Sequence, residues 1–83
     1  MNIEQQIRAY ILDSFLFTDD QSQLDNADSF LDKGIIDSTG ILEVIHFLQD
    51  EFHISVDDAE MIPENLDSVN NLVAFVGRKK AAA

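Results

Sequence analysis

The chain has 83 residues, 46% of them hydrophobic, and carries five Lys+Arg against sixteen Asp+Glu for a net charge of −11. That length makes one domain with one compact core, burying about 60–65% of the surface its unfolded form exposes, and leaves little material for a deep enzyme cleft. The charge sets phosphate backbones and anionic lipid surfaces against it, so nucleic-acid and membrane partners are not expected, and the absence of cysteine excludes disulfides and protein thiol chemistry. No apolar run nears the roughly 18 residues of a membrane span. The N-terminal Met-Asn-Ile-Glu-Gln lacks the basic and apolar regions of a signal peptide, which makes the cytoplasm the expected compartment.

Four helical segments and no strand are expected. The first spans about Ile3 to Leu16, where Ile3, Ile7, Ile11 and Phe15 recur every fourth residue and Tyr10 and Leu12 widen the stripe. Asn2 can cap it, with Glu4 near the positive end of the helix dipole. Phe17 to Asp37 reads as a long ordered loop, because Leu24, Phe30, Leu31, Ile35 and Ile36 are spaced through its polar residues as anchors. Gly34 supplies the backbone freedom for the turn into the next element.

The second helix begins at Asp37-Ser38 and runs to about Glu51. Ile41, Val44, Ile45, Leu48 and Phe52 form its broad apolar face, with Leu42 at the edge. Glu43, Asp50 and Glu51 occupy the other side, and Phe47 falls among them. That ring either anchors an interface or packs against the long loop. The third element, Asp57 to about Leu66, contains Pro63 and is expected as two short turns rather than one regular helix. The fourth helix starts after Ser68 as N-cap, with Val69, Leu72, Val73 and Val76 as its buried stripe and Phe75 beside it. Arg78, Lys79 and Lys80 sit at its negative end, so residues 1–77 hold two basic residues against all sixteen acidic ones and carry −14. Residues 1–80 form a single domain, and Ala81-Ala82-Ala83 is expected to be a frayed tail.

Chemistry concentrates at Ser38, a serine at or next to a helix N-cap, where unpaired backbone N–H groups and the dipole favour a phosphate ester. By itself a serine before a helix is usually only a cap, and Ser68 reads that way. Around Ser38, however, Leu31-Asp32-Lys33-Gly34-Ile35-Ile36-Asp37-Ser38-Thr39 resembles the attachment site of acyl and peptidyl carrier proteins. The length, acidity, long first loop and irregular third element extend that resemblance over nearly the whole chain. Phe52-His53-Ile54-Ser55-Val56-Asp57, closing the second helix, also matches the family's pattern.

The resemblance implies an all-α four-helix bundle of carrier-protein type, with a long first loop and a short irregular third helix. It implies a non-catalytic role. Ser38 would be esterified with 4′-phosphopantetheine taken from coenzyme A by a phosphopantetheinyl transferase, and the arm's terminal thiol would hold an acyl or aminoacyl cargo as a thioester. Asp37 would help position the transferase, and Thr39 takes the place after the serine where an apolar residue usually meets partners. Glu43 and Asp50 would face basic surfaces on a loading ligase and downstream transferases, contributing steering more than affinity. Phe47 is the candidate anchor, and Ile62 would border the arm. Thr39-Gly40 departs from the Leu-then-polar pair of fatty-acid carriers. Pro63-Glu64-Asn65-Leu66-Asp67-Ser68 resembles freestanding aminoacyl and D-alanyl carriers, which favours an aminoacyl or short acyl cargo in a specialised pathway. Like-charge repulsion favours a monomer.

Two other classes compete. A calcium-binding loop needs oxygen ligands at its first, third and fifth positions, Gly at the sixth and Glu at the twelfth. Counted from Asp25, the third is Ala27, the sixth Phe30 and the twelfth Ile36; counted from Asp20, the sixth is Asp25 and the twelfth Leu31, so both frames fail. An enzyme would have to work with His46 and His53, a helix-surface residue and a turn residue without a third partner. An unmodified acidic helical interaction module is the remaining alternative, and it leaves the Asp37-Ser38 context unexplained.

Overall fold

The computed structural model describes residues 2–82, and Ala83 of the expected tail lies outside them. Among those residues the chain is helical and contains no strand. Helix α1 covers Ile3–Ile11 and continues as a π-helical turn, Leu12–Leu16. Asn2 caps it as expected, its side chain accepting the Gln5 N–H at 2.7 Å. Helix α2 covers Ser38–Phe52, α3 is the single turn Pro63–Leu66, and α4 covers Val69–Ala82. Ala81 and Ala82 thus continue α4, where a frayed end was expected.

The core gathers Ile7, Ile11 and Leu12 from the first segment, Val44, Ile45, Leu48 and Phe52 from α2, Leu66 from α3, and Val69, Leu72, Phe75 and Val76 from α4. On α4 the expected order is exchanged: Phe75 is fully buried, and Val73 is only half-buried. The larger ring takes the deep position because α4 packs against both α1 and α3, leaving a space wide enough to hold it.

The long loop is ordered by its own anchors. Leu24, Phe30 and Ile36 are buried in the common core, Ile35 packs against it, and Leu31 is instead exposed. Polar clasps complete the loop. Arg8 donates to the Asn26 side chain at 2.6 Å and to the Gln21 carbonyl at 2.9 Å, and Asn70 N–H donates to the Asn26 carbonyl at 3.0 Å. Gly34 has φ +68°, the left-handed turn for which its lack of a side chain is suited.

The irregular third element forms as two short turns: a 3₁₀ turn over Asp58–Glu60, then α3 with Pro63 at its first position. The terminal basic cluster holds it. Lys79 pairs with Glu60 at 2.9 Å and Arg78 donates to the Asn65 side chain at 2.8 Å, while Lys80 reaches the Phe52 carbonyl at the end of α2 at 3.1 Å. These residues therefore tie three elements together in addition to facing the negative end of α4.

Candidate functional site

The first turn of α2 is set by Asp37. Its carboxylate accepts the Gly40 N–H at 2.7 Å and its carbonyl accepts the Ile41 N–H at 3.1 Å, so Asp37 is the N-cap and Ser38 the first helical residue. The Ser38 and Thr39 N–H groups precede those bonds and have no intrahelical acceptor. Asp37, Ser38 and Thr39 are all exposed. A hydroxyl at this place is open to an approaching enzyme and sits at the positive end of a 15-residue helix.

Gly40 explains why the turn lies where it does. A Cβ at that position would fall 2.9 Å from Ile36 Cγ2 and 3.0 Å from Phe15 Cε1. The glycine therefore lets the start of α2 press onto the end of the first helical segment, and it reflects close approach rather than tolerance.

Beside Ser38 lies an open, mainly apolar cleft of about 270 Å³. Leu31, Ile41 and Leu42 line it on the loop and α2 side, and Met61, Ile62, Pro63 and Leu66 on the other. Leu42 is 53% exposed and Ile62 43%, values that are unusual for residues of their size and that define an apolar surface next to the hydroxyl. Asp67 braces the cleft. Its carboxylate accepts the Leu31 N–H at 3.0 Å and the Ser29 hydroxyl, while its carbonyl accepts the Phe30 N–H at 2.8 Å. One residue at the α3–α4 junction thus fastens the segment that carries Leu31.

The structure brings Ser38, Asp37, Thr39 and Ile62 to this end of the molecule and sets Phe47 elsewhere. The Phe47 ring stacks on Tyr10 of α1, with centroids 4.0 Å apart and planes inclined by 7°, and meets Phe52 edge-on at 5.9 Å. It is half-buried and packs against α1, neither standing free as an interface anchor nor resting on the long loop. Tyr10 shares the same cluster; partial burial, and secondarily the Glu43 carboxylate, push its phenol above the usual value. Glu43 and Asp50 themselves are exposed along α2. His46 is exposed and His53 terminates α2 with φ 55°, so the two histidines occupy the surface and turn positions expected of them.

The cleft-lining Leu31, Met61, Pro63 and Asp67 are not among the site residues that the sequence pattern suggests. Met61-Ile62-Pro63 does carry a signal, an apolar triplet within an acidic, irregular stretch. Asp67 carries none, because its partners lie 36 and 38 residues away.

A serine exposed at the start of the second of four helices, with an apolar cleft at its side, meets two similar proteins. The chain is 30% identical over 79 residues to a probable acyl carrier protein, PigG, from Serratia sp. (strain ATCC 39006), covering 95% of this chain and 90% of that one. It is 36% identical over 78 residues to a D-alanyl carrier protein from Streptococcus uberis (strain ATCC BAA-854 / 0140J), covering 92% of each. The chain belongs to the carrier-protein family. No family model matches it. As a carrier protein it is non-catalytic, and such proteins in general use a phosphopantetheine prosthetic group and work with transferases and ligases. No helix among the described residues is long and apolar enough to cross a membrane, and among them no group of His, Asp or Glu is arranged to hold a metal ion. The residues at the start of α2 fit the family's group: a free-standing hydroxyl, two amides without helical acceptors, and an apolar wall along which a flexible arm can lie.

Proposed function

We propose that residues 1–80 act as a carrier unit whose Ser38 hydroxyl bears 4′-phosphopantetheine and whose cargo is an aminoacyl or short acyl group held as a thioester on the arm. The observation that carries this reading is the exposed Ser38 in the first turn of α2, bordered by the apolar cleft. In the attachment step the Ser38 oxygen forms a P–O bond to the phosphate nearest the pantetheine of coenzyme A. The pyrophosphate bond breaks, the adenosine bisphosphate leaves, and the hydroxyl proton passes to a base on the transferase. Coenzyme A as donor makes the cytoplasm the compartment this reading implies.

Asp37 fixes the geometry of the first turn and so the direction of the hydroxyl. Thr39, Glu43 and Asp50 lie exposed on α2, where a transferase, a loading ligase and downstream transferases with basic surfaces would meet them. Ile62 and Leu42 line the cleft that would receive the start of the arm or a short cargo. The resemblance of Pro63 to Ser68 to aminoacyl carriers and the D-alanyl carrier relative support the cargo class. Repulsion between copies of net charge −11 supports a monomer.

The test is direct. Incubated with coenzyme A, Mg²⁺ and a broad-specificity phosphopantetheinyl transferase, the chain should gain one phosphopantetheine, about 340 Da, by intact mass. Ser38→Ala should abolish the gain with helicity unchanged. A wild-type chain that gains no mass with several such transferases would return the weight to an unmodified interaction module.

A further inference from the structure

Five of the six phenylalanines, at positions 15, 30, 47, 52 and 75, are buried or pack against the core. Phe17 is 84% exposed. It also stands in the left-handed region, φ 55° and ψ 41°, as the residue that ends the π-helical turn. Its N–H and that of Thr18 both donate to the Leu12 carbonyl, the latter at 3.1 Å, which is the closing geometry that helices usually give to glycine. A bulky residue there strains the backbone. Neither packing nor local geometry repays Phe17, a conflict of the kind that folded chains keep where a surface is used.

The surroundings describe what the surface would take. Phe17 borders an open depression of about 610 Å³ whose apolar floor is Ala9 and Leu12 and whose polar rim is Asp13, Asp19 and Gln21, with no basic residue lining it. An aromatic face beside two carboxylates and an apolar floor is complementary to a Lys or Arg side chain: stem along the floor, cation over the ring and between the acids. Four of the chain's five basic residues, Arg8, Arg78, Lys79 and Lys80, already donate within the molecule, and the fifth, Lys33, is not among the residues that line the depression. A second copy, equally acidic, is repelled, and so is an anionic membrane. Phe17 follows by two residues Phe15, whose ring closes on Gly40 in the first turn of α2.

We propose that Phe17, Asp13 and Asp19 form a second docking site, separate from the acids of α2, for a basic side chain on the enzyme that attaches the arm to Ser38. The proposal rests on the carrier reading above and adds to it a surface and the chemistry of its occupant.

The experiment compares the apo chain and its variants as substrates of a broad-specificity phosphopantetheinyl transferase, following Ser38 modification by mass. Phe17→Gly should raise KM for the chain at least about fivefold, the loss that marks an interface anchor, with kcat unchanged. The same variant should melt about 2–6 °C higher because glycine relieves the backbone, so misfolding does not account for weaker docking. Asp13→Asn with Asp19→Asn should raise KM about threefold at low salt and lose that effect in high salt. KM within about twofold of wild type for Phe17→Gly, on a chain that still gains the arm, overturns the docking site and leaves the carrier reading intact. A wild-type chain that is never modified removes both. A dimer in sedimentation that Phe17→Gly dissolves would also overturn the proposal, by assigning the surface to a second copy.

Discussion

The two halves of α2 handle their apolar residues in opposite ways. Near Ser38, Leu42 is 53% exposed and Ile41 lines an open cleft, although both lie on or beside the face that periodicity assigns to the interior. Two turns later Phe47, which periodicity assigns to the acidic side, is stacked on Tyr10 and shielded. Helical spacing fixes only the direction in which a side chain leaves the axis. What meets it there depends on neighbours. The first half of α2 faces an irregular segment that stands off from it, and the second half faces the tyrosine of α1. The half that carries Ser38 leaves its apolar surface available, and the other half uses its surface for stability.

Substitutions along α2 should expose this contrast. Phe47→Ala should have the largest effect, a loss of about 2–3 kcal/mol by denaturant unfolding, below the range for a fully buried ring because this one is half-covered. An unchanged midpoint would put the ring back on a free surface. Gly40→Ala comes next. In an ordinary helix that change gains up to about 1 kcal/mol, but here the new methyl group meets Ile36 and Phe15, and a net loss of about 1–2 kcal/mol is expected. A gain in stability would show that the close approach at the serine turn is slack. Leu42→Ala should cost less than about 1 kcal/mol, since most of that side chain is already in water. If it costs as much as Phe47→Ala, the two halves are not different.

Titrations sharpen the same comparison with smaller effects. Tyr10 is the single tyrosine, so its ultraviolet absorbance reports the cluster around Phe47. Its phenol should titrate above the ordinary value of 10.0. The raised group contributes stability that is complete below that value and is lost as the pH climbs through the folded one. Phe47→Ala should lower the midpoint more than Glu43→Gln does, because burial outweighs the carboxylate. The reverse order would make charge the main cause. In the 3₁₀ turn just before the cleft-lining Met61, the Asp57 N–H and Lys79 hold the Glu60 carboxyl below its ordinary value of 4.5. The lowered group contributes stability present above that value and lost as the pH falls through the folded one. Wild type should therefore melt higher than Glu60→Gln above pH 4.5, with the gap closing in acid. A gap that persists unchanged in acid would show that the ion pair does not brace this turn.

Much of the fold is legible in the chain because local signals carry it. Asn2, Asp37 and Ser68 each cap the helix that follows, and Pro63 divides the third element as its missing N–H requires. Phe30 and Ile36 declare an ordered loop by being too apolar for a solvated linker. Ser38 stands out through its neighbours in sequence. Leu31, read as an anchor, and Phe47, read as a surface residue or a loop contact, are misplaced because their surroundings come from elsewhere in the chain.

The amino-acid sequence alone determined the helical class, the helix starts and the place of Ser38 at the start of α2, since capping, periodicity and glycine conformation act within a few residues. Tertiary structure decided which apolar residues are spent on the core and which border Ser38. It also decided that Asp67 clasps a loop 36 residues away and that Phe17 alone among the phenylalanines faces water. Burial is a property of how separate segments meet, and a pattern read along one segment contains its directions but not its neighbours.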